Sequence, residues 1–232
     1  LDEQLASAQH AADSAGMAIG VMHDLAVGVS KDGADAWSLN RSLARGVSVG
    51  APADMYNQQG QDWSQPPWHP FRLAEAGYRP WREMLRGIFR HAGGIRIDHI
   101  MGLFRLWWIP EGNRASEGAY VYYDHEAMLG ILALEAQRAG VVVVGEDLGT
   151  VEPWVREELA ARGVLGTSVL WFETEGDRDV LADVTQGRPR EGDQRGHVAH
   201  PVVQHRRIRR EPRRLQAVEL DHRARHLRGR GE

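Results

Sequence analysis

Short apolar runs alternate with helix-like stretches along the first three quarters of the chain. The runs are continuous rather than alternating, which is typical of strands buried on both faces of a parallel sheet. The pattern therefore predicts an α/β fold. The predicted strands are 17–21, a short strand within GIRIDHIMG at 94–102, 141–144 and 167–172, and the predicted helices are 1–15, 81–91, 124–139 and 152–161.

Helix-capping residues and loop composition refine this outline. Thr150 is a plausible N-cap for the last helix, and Pro153 falls in its first turn. The segment 38–81 is rich in Gly, Pro, Trp and Gln and contains no convincing strand. An irregular segment of this length in a compact domain usually has a function.

Polar residues stand at or near the carboxyl ends of the predicted strands, namely Asp24, Asp98 and Glu146. In a (β/α)₈ barrel this end of the sheet carries the active site. An open doubly wound sheet places ligands at the same end, and periodicity alone does not distinguish the two folds.

Asp98 and Glu146 are the candidate reacting groups. Adjacent parallel strands lie about 4.8 Å apart, so carboxylates at their tips fall near the roughly 5 Å separation of a retaining glycosidase. Arg96 lies two residues before Asp98 and points to the same face of a strand, where its charge favours the ionised carboxylate that a nucleophile requires. The alternative is that both acids cap helices or pair with nearby arginines.

Composition narrows the possible chemistry. The chain has 232 residues, a formal net charge of −4, no cysteine and eight tryptophans. A cysteine nucleophile and thiolate metal sites are excluded, and the eleven histidines form no HExxH-like spacing. Tryptophan suits sugar binding, because sugar rings stack on aromatic faces. Trp63, in a Gly- and Gln-rich loop, is the first candidate for such a contact. No secretory signal or membrane span is visible, so a cytoplasmic protein is expected.

The last part of the chain, 176–232, differs from the preceding 1–175. It is crowded with arginine and has few aliphatic residues, so it buries too little apolar surface to offset its chain entropy. We predict a disordered or out-of-frame tail; a basic arm for nucleic acid is the alternative. Because the chain begins at Leu1, in what reads as mid-helix, we also expect it to be a fragment.

Five strings together resemble the amylomaltase, or 4-α-glucanotransferase, family (glycoside hydrolase family 77). RIDHIMGLFRLWWIP is similar to its nucleophile strand, and GEDLGTVEPWV to its acid/base segment. The others are HDLAVGVSKDGADAW, GAPADMYNQQGQDW and VLGTSVLWFE. They occur in family order over about 17–173.

The resemblance implies a (β/α)₈ TIM barrel with insertions, of which this chain holds about strands three to six. It makes Asp98 the nucleophile and Glu146 the general acid/base, with no cofactor or metal. The implied substrates are maltooligosaccharides and α-1,4-glucans, not nucleic acid or membrane. The implied sugar-binding residues are Asp24, Asp54, Gln61, Trp63, Arg96 and His99.

The chain departs from the family pattern in one respect that bears on activity. The family's third acid, the aspartate of a T-H-D segment, has no match in 174–232. We therefore expect the chain to be inactive alone. Two alternatives remain open: a non-catalytic glucan-binding remnant, and a hydrolase of the α-amylase type.

Overall fold

The computed structural model describes residues 1–55, 57–149, 151–169, 174–175 and 178–179. Almost all of the predicted tail at 176–232 lies outside these residues. The helices are α1 Asp2–Ser14, α2 Ala34–Ser38, α3 Pro70–Glu75, α4 Arg79–Phe89, α5 His125–Ala139 and α6 Pro153–Ala161. Two short 3-10 helices occupy Ile100–Leu103 and Ala115–Glu117.

The nine strands of the described residues form three sheets. The parallel sheet has the order β1-β4-β7, and the antiparallel sheet the order β3-β2-β5-β6, while β8 and β9 pair only with each other. The strands are β1 Met22–Leu25, β2 Val47–Ala51, β3 Gln61–Gln65, β4 Gly94–Ile97, β5 Arg105–Pro110, β6 Ala119–Tyr122, β7 Val142–Gly145, β8 Thr174–Glu175 and β9 Arg178–Asp179.

The predicted α/β class with parallel strands is confirmed for the described residues. A single bridge from Val144 to Leu165 extends the parallel sheet beyond β7. The predicted burial on both faces is wrong for β4, because Ile95 and Ile97 are buried whereas Arg96 between them is only half-buried. The sheet thus has one apolar face and one face that carries charge.

The apolar face packs against α4 and α5, and this contact forms the main core. Trp81 and Leu85 of α4 and Leu129 of α5 are almost fully buried there. The indole Nε1 of Trp81 donates to the carbonyl of Met128 at 3.1 Å. This packing leaves the charged face of the sheet, which carries Arg96, on the side away from α4 and α5.

Several predicted boundaries need correction. The first strand is β1, one residue beyond the predicted 17–21, because the register of β4 pairs with 22–25. The N-cap of α6 is Glu152 without a side-chain cap bond, and Thr150 lies outside the described residues. Within the predicted strand 167–172, residues 167–169 are not in a strand and the rest lie outside the described residues.

The segment 38–81, predicted to lack strands, contributes β2, β3 and α3. Its strands are stabilised from a distance, since β2 pairs with β5 through Val49 and Trp108. A second small core of Val49, Leu106 and Tyr123 lies at this sheet, with Trp63, Trp68, Trp108 and Val27 packed against it. No helix among the described residues is long and apolar enough to cross a membrane.

Candidate active site

Asp98 and Glu146 occupy equivalent positions at the carboxyl ends of adjacent parallel strands. Ile97 of β4 pairs with Gly145 of β7, and the two acids are the next residues along each strand. The amide of Glu146 donates to the carbonyl of Ile97 at 2.9 Å, and the amide of Asp98 donates to Leu25 of β1 at 2.9 Å. Backbone pairing of β1, β4 and β7 therefore places the two carboxylates at one edge of the sheet.

The turn that follows Asp98 closes over the end of β7. His99 adopts a left-handed conformation with φ of 48°, which costs a non-glycine residue about 1–3 kcal/mol. The amide of Ile100 then donates to the carbonyl of Glu146 at 2.9 Å. Gly145 allows this close approach, because a Cβ there would lie 2.8 Å from Cγ1 of Ile100.

This turn also orients the carboxyl group of Glu146. Its Oε2 accepts from the amide of His99 at 3.0 Å, and its Oε1 accepts from the amide of Leu148 at 2.8 Å. Both oxygens are thus held by backbone donors on either side of the strand end. These two contacts fix the rotamer of the side chain.

Arg96 joins the acids of β1 and β4. Its Nη1 donates to both oxygens of Asp24, at 2.8 and 2.9 Å, and its Nη2 donates to Oδ1 of Asp98 at 2.8 Å. The hydrogen bonds that Arg96 donates to Asp24 are the main reason that the pKa of Arg96 lies above its ordinary value. The guanidinium therefore remains charged and restrains Asp98 through a single oxygen.

Asp147, next to Glu146, points away from this group and is buried. Its Oδ1 accepts from the amide of Thr167 at 2.8 Å and its Oδ2 from Nε of Arg156 at 3.1 Å. The hydroxyl of Thr167 donates in turn to the carbonyl of Gly145 at 3.0 Å. Sequence reasoning missed Asp147 as a site residue, although it stands within the quoted acid/base segment.

Trp63 of β3 contacts His99. The two rings are edge to face, with centroids 5.4 Å apart. The indole Nε1 of Trp63 donates to Oε1 of Gln61 at 3.0 Å, which fixes the ring. Burial lowers the pKa of His99 below its ordinary value of 6.5, so its imidazole is neutral at pH 7.

These groups surround an open cavity of about 370 Å³, which we call the front cleft. The volume lies within the range of about 300–1,000 Å³ that is usual for small-molecule sites. The front cleft combines an indole, an imidazole and two carboxylates. It is lined by Ala26, Val27, Trp63, Gln65, Asp98, His99 and Glu146.

Four of the eight predicted site residues line the front cleft directly, namely Asp98, Glu146, Trp63 and His99. Three others are hydrogen-bonded to the lining residues, directly or through a neighbour. Arg96 donates to Asp98 and also to Asp24, and Gln61 accepts from the indole of Trp63. Asp54 lies in the exposed loop between β2 and β3 and does not line the cleft.

Sequence reasoning also missed Gln65. It lies two residues after Trp63 on β3 and lines the front cleft with it. In the described part of the chain, its Oε1 is buried without a hydrogen-bond partner. No period-two signal identifies it, because the register of β3 shifts here and Ser64 has φ of 56°. Among the described residues, no three His, Asp or Glu side chains come together as metal ligands.

Trp63, the first candidate for a sugar contact, is the one tryptophan of the described residues that lines the front cleft. Trp81, by contrast, is 2% exposed in the main core. Trp37 and Trp154 are exposed at 79% and 47% but lie outside the cleft lining. Trp171 is outside the described residues.

Comparison with known proteins identifies the family. The profile described as 4-alpha-glucanotransferase matches residues 1–190. The chain belongs to this family. A 4-alpha-glucanotransferase of Mycobacterium tuberculosis is 67% identical over 179 residues, covering 77% of this chain and 24% of the relative. One of Haemophilus influenzae is 42% identical over 171 residues, covering 74% and 24%. The chain thus spans about a quarter of the length of these 4-alpha-glucanotransferases.

Two solved structures resemble the chain, and the first agrees with the family membership. The crystal structure of amylomaltase from Corynebacterium glutamicum superposes with a TM-score of 0.74 at 62% identity, covering 77% of this chain and 25% of that one. An amylomaltase from Streptococcus agalactiae, in complex with acarbose, superposes with a TM-score of 0.65 at 21% identity, covering 75% and 37%. The second likeness concerns the fold alone.

Proposed function

We propose that this chain supplies the two reacting carboxylates of a 4-α-glucanotransferase that transfers α-1,4-glucan segments between maltooligosaccharides. The observation that carries the proposal is the placement of Asp98 and Glu146 beside one cleft, one residue beyond paired positions of β4 and β7. Strand neighbours about 4.8 Å apart suit the roughly 5–5.5 Å carboxyl separation of a retaining mechanism. We further propose that β1, β4, β7 and the bridge at Leu165 belong to about strands three to six of a TIM barrel.

In this mechanism Asp98 attacks the anomeric carbon of the sugar while Glu146 donates a proton to the departing glycosidic oxygen. The C–O bond breaks, an ester to Asp98 forms, and the shortened glucan leaves with its new hydroxyl. Glu146, now ionised, takes a proton from the 4-hydroxyl of an acceptor glucan, which displaces Asp98. The configuration at the anomeric carbon is retained because two inversions occur.

The remaining groups have supporting roles in this proposal. Arg96 neutralises Asp98 and leaves its second oxygen available to the sugar. Trp63 offers an apolar ring face to a pyranose, held in place by Gln61. His99, neutral because of burial, both accepts from and donates to sugar hydroxyls. Asp24 acts through Arg96, and Asp54 is placed on the loop that borders β3, where an extended glucan passes.

The test uses a chimera because the chain spans 24% of the Mycobacterium tuberculosis relative. In this chimera the matching 179-residue segment of that relative is replaced by the segment of this chain. With maltotriose, the chimera should form a ladder of longer and shorter maltodextrins, whereas a hydrolase would form only shorter sugars. The 232-residue chain by itself should form no ladder.

The matched variants decide the assignment. Asp98→Asn in the chimera should abolish the ladder while maltotriose binding persists, because the amide is nearly isosteric but is not a nucleophile. Asp13→Asn, on the exposed helix α1, is the control and should keep full activity. A chimera whose Asp98→Asn variant still makes the ladder would remove Asp98 from the nucleophile role.

A further inference from the structure

A second cavity lies on the opposite face of β3 from the front cleft. The two cavities share β3 as a wall: Trp63 and Gln65 line the front cleft, whereas Asp62 and Ser64 line this second cavity. Its volume is about 570 Å³, larger than that of the front cleft. We call it the rear cleft and define it by Trp37, Asn40, Arg45, Ser48, Asp62 and Ser64.

Trp37 is the most informative residue of the rear cleft. It lies on α2, and 79% of its surface is exposed. The side chain of Asn40 donates to the backbone carbonyl of Trp37 at 2.6 Å, which ties the end of the helix to the loop that follows. An indole that packs against no core and borders a polar cavity presents a free apolar face. Such a face is suited to stacking with the C–H surface of a pyranose ring.

The polar lining fits a neutral ligand with many hydroxyl groups. Charges of both signs surround the rear cleft: Lys31 and Arg45 are cationic, and Asp32, Asp62 and Glu111 are anionic. Across the residues that the structure covers, none of these five forms an ion pair with another side chain. Oδ1 of Asp62 accepts from the amide of Ser64 at 2.7 Å, and the side chains of Lys31, Asp32, Arg45 and Glu111 offer their donors and acceptors to a ligand. The two cations and three anions leave a formal charge of only −1, so the lining does not attract an anion and gives a cation one unpaired charge at most.

From these observations we infer that the rear cleft is a second carbohydrate-binding site, which takes an α-1,4-glucan with one glucose unit stacked on Trp37. The choice of an α-1,4-glucan rests on the proposed function, whereas the choice of a neutral polyhydroxyl ligand rests on the cleft itself. A glucan bound in the rear cleft would be separated from Trp63 by strand β3. It would retain a long polymer on the protein without occupying the front cleft.

The test compares two tryptophans and one control in the full 232-residue chain. Maltoheptaose binding is measured by calorimetry for the unchanged chain and for Trp37→Ala, Trp37→Phe and Phe71→Ala. Phe71 is the matched control, since it is 77% exposed and lies outside both clefts. Trp37→Ala should weaken the rear-cleft component about tenfold, and Trp37→Phe should restore most of it. Phe71→Ala should have no effect.

Trp63→Ala separates this inference from the proposed function. Weakening by Trp37→Ala but not by Trp63→Ala supports the rear cleft and counts against the glucan-binding role of the front cleft. Weakening by Trp63→Ala alone overturns the rear cleft and leaves the proposed function standing. Equal effects of Trp37→Ala and Phe71→Ala also overturn it. Far-ultraviolet circular dichroism checks folding, and the exposure of Trp37 means that its removal opens no core cavity.

Discussion

The guanidinium of Arg96 donates to Oδ1 of Asp98 at 2.8 Å while the same group binds both oxygens of Asp24. One rigid fork therefore links the ends of β1 and β4 and sets the orientation of the proposed nucleophile. The second oxygen of Asp98 has no such restraint from Arg96. The geometry depends on the planar arrangement of guanidinium donors, which an ammonium group does not reproduce.

Arg96→Lys in the chimera should reduce kcat about 10- to 100-fold. This corresponds to the loss of a charge-assisted hydrogen bond worth about 1.5–3 kcal/mol, and partial exposure of the group places the effect toward the lower end. Steady-state kinetics with maltotriose measures it. Arg41→Lys, at an exposed residue outside the ion pairs of the described chain, is the control. An unchanged kcat would mean that Arg96 supplies charge without setting geometry.

Glu146→Gln in the chimera should depend strongly on the leaving group. Glutamine donates no proton to the leaving oxygen, so the transfer rate with natural maltooligosaccharides should fall by several orders of magnitude. Aryl maltosides with acidic phenols need no protonation and should lose much less in the glycosylation step. Burst kinetics with a nitrophenyl maltoside measures that step, with Glu126→Gln on α5 as the control. Equal losses for both substrate types would exclude Glu146 as the general acid.

The positions of Asp98 and Glu146 were predictable because strand ends are local features. An apolar run followed by an acid identifies the carboxyl end of a buried strand, and parallel pairing then brings the ends of neighbouring strands together. The register that pairs Ile97 with Gly145 agrees with this expectation. The contact of Arg96 with Asp98 was predictable, because the two residues are two positions apart on one strand. Its contact with Asp24 was not, because Asp24 lies on another strand.

Other features were not predictable because they depend on contacts between distant residues. Strand β2 pairs with β5, and no local periodicity in 38–81 predicts that pairing. The turn at His99 takes a positive φ that histidine rarely adopts. Asp147 was missed for the same reason, since its partners Arg156 and Thr167 are brought to it only by the folding of α6 and the segment after it.

Asp147→Asn should impair catalysis by releasing the acid/base segment. The amide cannot accept from both the Thr167 amide and Arg156 without turning its own donors toward one of them. We expect a loss of about 1–3 kcal/mol in the free energy of unfolding, and a fall in kcat with little change in KM. The stability loss is measured by urea unfolding, with Asp13→Asn on the exposed α1 as the control.

The leaving-group test distinguishes positioning from a general loss of structure. If Asp147 acts by placing Glu146, Asp147→Asn should slow natural glucans more than activated aryl maltosides, in the same direction as Glu146→Gln. A uniform loss across substrates would mean that Asp147 only stabilises the fold.

His99→Asn should make the stability of the chain less dependent on pH. Burial lowers the pKa of His99 below 6.5 in the folded state, so below about pH 6.5 the unfolded chain binds a proton that the folded chain binds only at lower pH. The stability associated with neutral His99 is therefore complete above about pH 6.5 and is lost as the pH falls toward the folded-state pKa. Asparagine removes this titration, and it tolerates the left-handed backbone better than other residues except glycine.

Urea unfolding from about pH 5 to about pH 7.5 measures the free energy of unfolding at each pH. Its slope against pH should be shallower for His99→Asn than for the unchanged chain or for His10→Asn on exposed α1. Parallel pH curves for all three proteins would show that protonation of His99 is not linked to unfolding.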